Sequence, residues 1–221
     1  MDDTAVWKIP PAEIEERSFA IIDQEAGQHG WEPAAWTVVR RLVHTSADFD
    51  YVKDTVISPG AVEAGVAAIR GGPLILTDTK MALSGVNRSN LASWNAELLC
   101  LVDDERVVRA AGETSSTRAQ AAVDVAFQEH VTAGRPTIWA VGNAPTALYR
   151  LMERLRADPA LPEPALVVGL PVGFVNAFES KRDLAASGIR HFITNLSRKG
   201  GSNVAAATIN ALAKLALQAQ A

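Results

Sequence analysis

From Pro73 onward the chain alternates short apolar runs with helix-patterned segments, and this constrains its fold more than any other feature. The runs are Leu74 to Thr77, Leu98 to Val102, Ile138 to Val141, Leu166 to Gly169 and Phe192 to Leu196. Each is too short for a stable helix and suits a buried strand. Helices follow most of them, most clearly over Ser116 to His130, Pro145 to Arg156, Asn176 to Ala186 and Asn203 to Gln218. Strands separated by helices of this length predict an α/β fold, a parallel sheet with helices on both faces. Right-handed crossovers then gather the strand-to-helix loops on one edge of the sheet. Ligands of such folds enter the crevice at the carboxyl ends of the strands.

The residues before Pro73 read as a mainly helical region. Pro11 to Ala26 places Ile14, Ser18, Ile22 and Ala26 on one stripe, with Ser18 interrupting an apolar face. A hydroxyl there either bonds a carbonyl of its own helix or contacts a ligand, and spacing alone favours the former. Trp31 to Thr45 forms a second helix, with Pro33 in its first turn and Trp36, Val39 and Val43 on its buried face. A third has Ser58 as its expected N-cap and Pro59 at its first position, and Gly71-Gly72 stops it. No repeat or linker interrupts residues 1–221, so a single domain is expected.

Composition narrows the function classes. The net charge of -4 and pI near 5.6 disfavour a nucleic-acid partner. The one cysteine, Cys100, allows no intramolecular disulfide and no cysteine-cluster metal site. The four histidines, His29, His44, His130 and His191, include no pair at helical metal-ligand spacing, so no metal is expected. The opening Met-Asp-Asp-Thr lacks the basic and then apolar pattern of a leader. The apolar tract from Ala165 to Phe178 is broken by Pro171 and two glycines. A cytoplasmic protein without a membrane span is the expectation.

Four segments fall on the expected crevice edge. They are Thr77-Asp78-Thr79-Lys80-Met81, Gly142-Asn143-Ala144-Pro145-Thr146, Gly169 to Phe174 running on to Glu179-Ser180-Lys181, and Ser197 to Asn203, which includes Lys199. Glycines let a backbone approach a ligand, and helix N-termini offer free N–H groups to anions. None of the four matches a dinucleotide fingerprint or a P-loop. Thr117-Arg118 opens a helix, where a cation opposes the helix dipole. The guanidinium there either meets a bound carboxylate or pairs with a neighbouring acid such as Glu113. Arg88 is a similar but weaker candidate. His44, near a helix C-terminus, is expected to favour its protonated form, as a proton donor requires, although position alone favours a structural histidine over a catalytic one.

Those same loops and helices carry a family resemblance. Arg17-Ser18-Phe19-Ala20-Ile21-Ile22, Arg41-Leu42-Val43-His44, Gly142 to Leu148, Pro171-Val172-Gly173-Phe174-Val175, Glu179-Ser180-Lys181 and Gly200-Gly201-Ser202 resemble segments of the precorrin-8X methylmutases. Their order and spacing run from about Ile14 to Leu212. Val175-Asn176-Ala177-Phe178 and Asn195-Leu196-Ser197-Arg198 depart from the family pattern.

The resemblance implies a single-domain α/β isomerase acting as a homodimer, with sites near the subunit interface. The reaction it implies moves a methyl group from C-11 to C-12 of precorrin-8X, or of cobalt-precorrin-8, giving hydrogenobyrinic acid or its cobalt form, cobyrinic acid. His44 maps onto the family's catalytic acid and Ser18 onto its substrate-contact serine. The substrate is an apolar macrocycle ringed with carboxylates. Arg41, Thr77, Asp78, Met81, Arg88, Thr117, Arg118, Gly142, Asn143, Lys181 and Lys199 are the further candidates to meet it. The methyl is already on the substrate, so no cofactor is required. A corrinoid carrier without catalysis would need the same cleft but no titrating His44.

Overall fold

The computed structural model describes residues 10–218. Helices α1 (Pro11–Ala26), α2 (Pro33–Ser46) and α3 (Asp50–Asp54) lead into strand β1 (Thr55–Ile57) and helix α4 (Ala61–Arg70). Strand β2 (Leu74–Thr77), helix α5 (Lys80–Gly85), a 3-10 turn over Arg88–Trp94 and strand β3 (Glu97–Leu99) follow. Then come α6 (Glu105–Thr114), α7 (Arg118–Glu129), β4 (Thr137–Val141) and α8 (Pro145–Ala157). The chain closes with β5 (Leu166–Gly169), α9 (Ala177–Ala185), β6 (Phe192–Asn195) and α10 (Ser202–Gln218).

The strands form one sheet in the order β1-β6-β5-β4-β2-β3. All neighbours are parallel except β1, which pairs antiparallel with β6 through Thr55↔Asn195, Val56↔Thr194 and Ile57↔Ile193. The sheet is therefore mixed, where the sequence predicted a parallel one. A strand of three residues shows no legible alternation, and only its edge pairing defines it.

Alternation along the strands splits the core in two. Ile75, Ile138, Ala140, Leu166, Val168 and Ile193 face the layer that includes α2, α4 and α10. Leu74, Leu76, Trp139, Val141, Val167 and Phe192 face the layer of α6, α7, α8 and α9. Both faces are covered, which is why these strands read as continuous apolar runs.

Ser58 does not cap α4. Gly60, in the left-handed region at φ 74°, takes that position. The Ser58 hydroxyl instead donates to Arg190 O at 2.9 Å and accepts from Phe192 N at 2.8 Å, tying the chain after β1 to the start of β6. Long-range pairing outcompeted the local cap. Along α1, Ile14 is 50% exposed and only Ile22 of the expected apolar stripe is deeply buried. Among the described residues no helix is long and apolar enough to cross a membrane.

Candidate active site

The four carboxyl-edge loops do come together, and they bind one another. Asp78 accepts hydrogen bonds from three successive backbone N–H groups, Gly142 at 3.0 Å and Asn143 and Ala144 at 2.7 Å each. Burial pushes the Asp78 carboxyl up from its ordinary value, and these three donors oppose that shift. Thr79 caps α5 through Ala82 N, and its hydroxyl meets Ser202 at 2.7 Å. Gly201 N donates to Leu170 O and Gly173 N to Arg198 O, which joins the remaining two loops.

Several sequence candidates are taken up by this framework. Thr77 is buried, and its hydroxyl donates to Thr79 O at 3.1 Å. Lys181 is fully buried and donates to Asn195 Oδ1 at 3.0 Å and Lys199 O at 2.6 Å. Burial lowers its ammonium to about 8. The Lys199 ammonium pairs with Asp48 at 2.5 Å and with Asp50, and these two carboxylates raise it. Met81 stays 72% exposed, and Asn143 is exposed at the edge of the turn.

Thr117 is the N-cap of α7 in a full capping box with Gln120, and its hydroxyl meets that of Thr146 at 3.0 Å. Arg118 does not pair with Glu113. It reaches Asp103 at 3.4 Å, a carboxylate it shares with Lys80 at 2.6 Å. Arg88 lies apart from the crevice edge. It lines a surface hollow with Gly72, Asn95, Glu97 and Arg135, at the amino ends of β2, β3 and β4.

His44 lies in a second neighbourhood, on the helical layer rather than at the strand ends. It opens onto a hollow of about 470 Å³ lined by Glu15, Arg41, Thr45, Asn87, Asn90, Asn210 and Lys214. Its ring meets Phe19 edge-on at 5.2 Å, and the Arg41 guanidinium lies 4.7 Å from the Phe19 ring centre. Glu15 accepts from Arg41 at 2.8 Å and from Lys214, and the Arg41 bond leads in lowering its carboxyl to about 2. Ser18, on the same helix as Glu15 and Phe19, donates to Ile14 O at 2.7 Å, which is the own-helix bond.

The expected preference of His44 for its charged form is reversed in the free protein. Burial, and after it the Arg41 guanidinium, hold the imidazole below its ordinary 6.5; Lys214 adds to this and Glu15 opposes it. Asn87, Asn90, Asn210 and Lys214 were not singled out from sequence. Asn210 and Lys214 lie one turn apart on α10, but only packing of α10 on α2 brings them to His44. Asn210 is itself fixed, accepting from Asn87 N at 2.7 Å and donating to Gly85 O at 2.9 Å.

The arrangement is thus an imidazole beside two cations and three amides, on a chain whose strand-end loops bind one another. The family model for precorrin-8X methylmutase matches residues 13–215. The cobalt-precorrin-8 methylmutase of Salmonella typhimurium is 43% identical over 209 residues, covering 91% of this chain and 94% of that protein. The precorrin-8X methylmutase of Pseudomonas aeruginosa is 41% identical over 202 residues, covering 90% and 93%. The crystal structure of precorrin-8X methyl mutase from Thermus thermophilus superposes with a TM-score of 0.86 at 44% identity, covering 94% of this chain and 97% of that one. The chain belongs to the precorrin-8X methylmutase family.

Proposed function

We propose that this protein is an isomerase of cobalamin biosynthesis that moves a methyl group from C-11 to C-12 of precorrin-8X or cobalt-precorrin-8, with His44 as proton donor. The product is hydrogenobyrinic acid or its cobalt form. The observation that carries the His44 assignment is its setting: a half-buried imidazole at a hollow that also holds Arg41 and Lys214. Protonating, or strongly hydrogen-bonding, a ring nitrogen would draw electrons through the conjugated macrocycle and ease a sigmatropic methyl shift.

The lowered proton affinity of free His44 fits this role once substrate is considered. Arg41 and Lys214 both lower it. Substrate carboxylates seated on those two cations would offset their charge and favour the imidazolium. Binding would then arm the acid. Ser18 would reach substrate by exchanging its bond to Ile14 O. Arg41, Arg118, Asn143 and Lys199 are the further proposed contacts. The working unit is proposed as a cytoplasmic homodimer, which would cover the 85% and 78% exposed Phe174 and Val175. Relatives named for the cobalt and the metal-free substrate are similarly close, at 43% and 41% identity, so both pigments are to be tested.

The test is to mix the protein with metal-free precorrin-8X, and separately with cobalt-precorrin-8, and follow the visible spectrum with His44→Ala alongside. Conversion by the intact protein alone supports the reading. Undiminished turnover by His44→Ala would remove His44 as the acid. Tight product binding with no turnover by either protein would favour a carrier.

A further inference from the structure

β2 and β4 are neighbours in the sheet, and the connections that leave them run in opposite directions, to β3 on one side and β5 on the other. This reversal is where a doubly wound sheet usually opens its ligand crevice. Three successive N–H groups ahead of a helix are a concavity suited to an anion. In this chain the anion is internal. Asp78, the first residue after β2, is 8% exposed and fills the seat made by Gly142, Asn143 and Ala144.

What the seat holds in place extends well past Asp78. The turn leads directly into α8, whose Thr146 hydroxyl bonds that of Thr117 at 3.0 Å. Thr117 caps α7 and precedes Arg118. Asn143, exposed, belongs to the turn itself. On the other side, Thr79 bonds Ser202 at the start of α10. Two proposed substrate contacts, Asn143 and, through the Thr117 cap, Arg118, are therefore placed through one carboxylate whose oxygens already accept bonds.

We propose that Asp78 is a positioning residue of the methyl migration, a built-in anion that fixes the Gly142–Ala144 turn and the contacts beyond it without touching substrate. This rests on the methylmutase reading.

Full-length Asp78→Ala and Asp78→Asn test it. Asp78→Ala leaves room for formate where the carboxylate stood. The expected result is a KM for precorrin-8X raised about tenfold with kcat within about threefold of the wild type. Excess formate should return KM toward the wild-type value and raise the Tm of Asp78→Ala while leaving the wild type unmoved. Asp78→Asn keeps one accepting oxygen and should show an intermediate KM. A folded Asp78→Ala with unchanged KM, or one whose KM and Tm ignore formate, would overturn the proposal. If Asp78→Ala does not fold, Asp78→Asn decides it, and an unchanged KM there overturns it equally. A wild type that converts neither pigment sinks the methylmutase reading instead, and the formate effect on Tm alone then judges whether Asp78 fills an anion seat.

Discussion

Gly142 faces Gly201 so closely that a Cβ on Gly142 would stand 2.7 Å from the Gly201 carbonyl oxygen and 2.8 Å from the Ser202 Cα. Backbone on both sides leaves nothing flexible to yield. The loop after β4 and the loop opening α10 are thereby held in direct contact beside Asp78. Gly142→Ala is expected to push them apart and cost roughly 1–3 kcal/mol of stability, as overpacking does. Urea unfolding would read this. A variant as stable as the wild type would show that the two loops separate freely.

The pH profile should carry the signature of His44. Its folded value lies below 6.5, so the protonated form is lost as pH rises through that lower value. kcat/KM, which reports the free enzyme, should fall with rising pH from a break below 6.5. Replacing Arg41 with Gln removes a charge that lowers His44 and leaves Glu15, which raises it, in place on Lys214, so the break moves upward. A break at the same pH in Arg41→Gln would contradict this account.

Lys181 offers a test of a different kind. Its folded value is lowered from 10.5 to about 8, so between these pH values the unfolded chain binds more protons than the folded one. By linkage, this group's contribution to stability rises as pH climbs through that window and is lost as pH falls back through about 8. Relative to Lys181→Met, the wild type should gain on the order of 3 kcal/mol across it. Thermal or urea unfolding of both proteins at several pH values gives the difference directly. Parallel stability curves would mean that Lys181 titrates normally.

Ser58→Ala should weaken the β1 edge. The variant strands the Phe192 N–H and the Arg190 carbonyl that Ser58 serves. The expected loss is about 1–3 kcal/mol. Faster amide hydrogen exchange at Phe192, with the amides of β4 unaffected, would locate the effect. Uniform exchange changes would mean that the hydroxyl supports the whole fold rather than this edge.

By itself the sequence determined the layers of this protein. Five apolar runs became β2 to β6, because β2, β4, β5 and β6 are buried along their whole length, are mostly apolar and therefore stand out. The helix frames around them were legible from the same contrast. So were the four loops that meet at the carboxyl edge, since crossover handedness leaves them no other edge. His44 and Ser18 became candidates only through resemblance, because one histidine and one serine on helices have no spacing to single them out. The tertiary structure decided the rest. It added β1, which exists only as a partner for β6, and it turned Ser58 from a cap into a strand tie. It made Asp78 and Lys181 internal braces and separated Arg88 from the loops. It brought Asn210 and Lys214 to His44 from a helix that begins more than 150 residues later, and lowered that imidazole's proton affinity through burial and its cationic neighbours. Local pattern encodes which residues must leave water; which charge meets which is fixed only when distant elements pack.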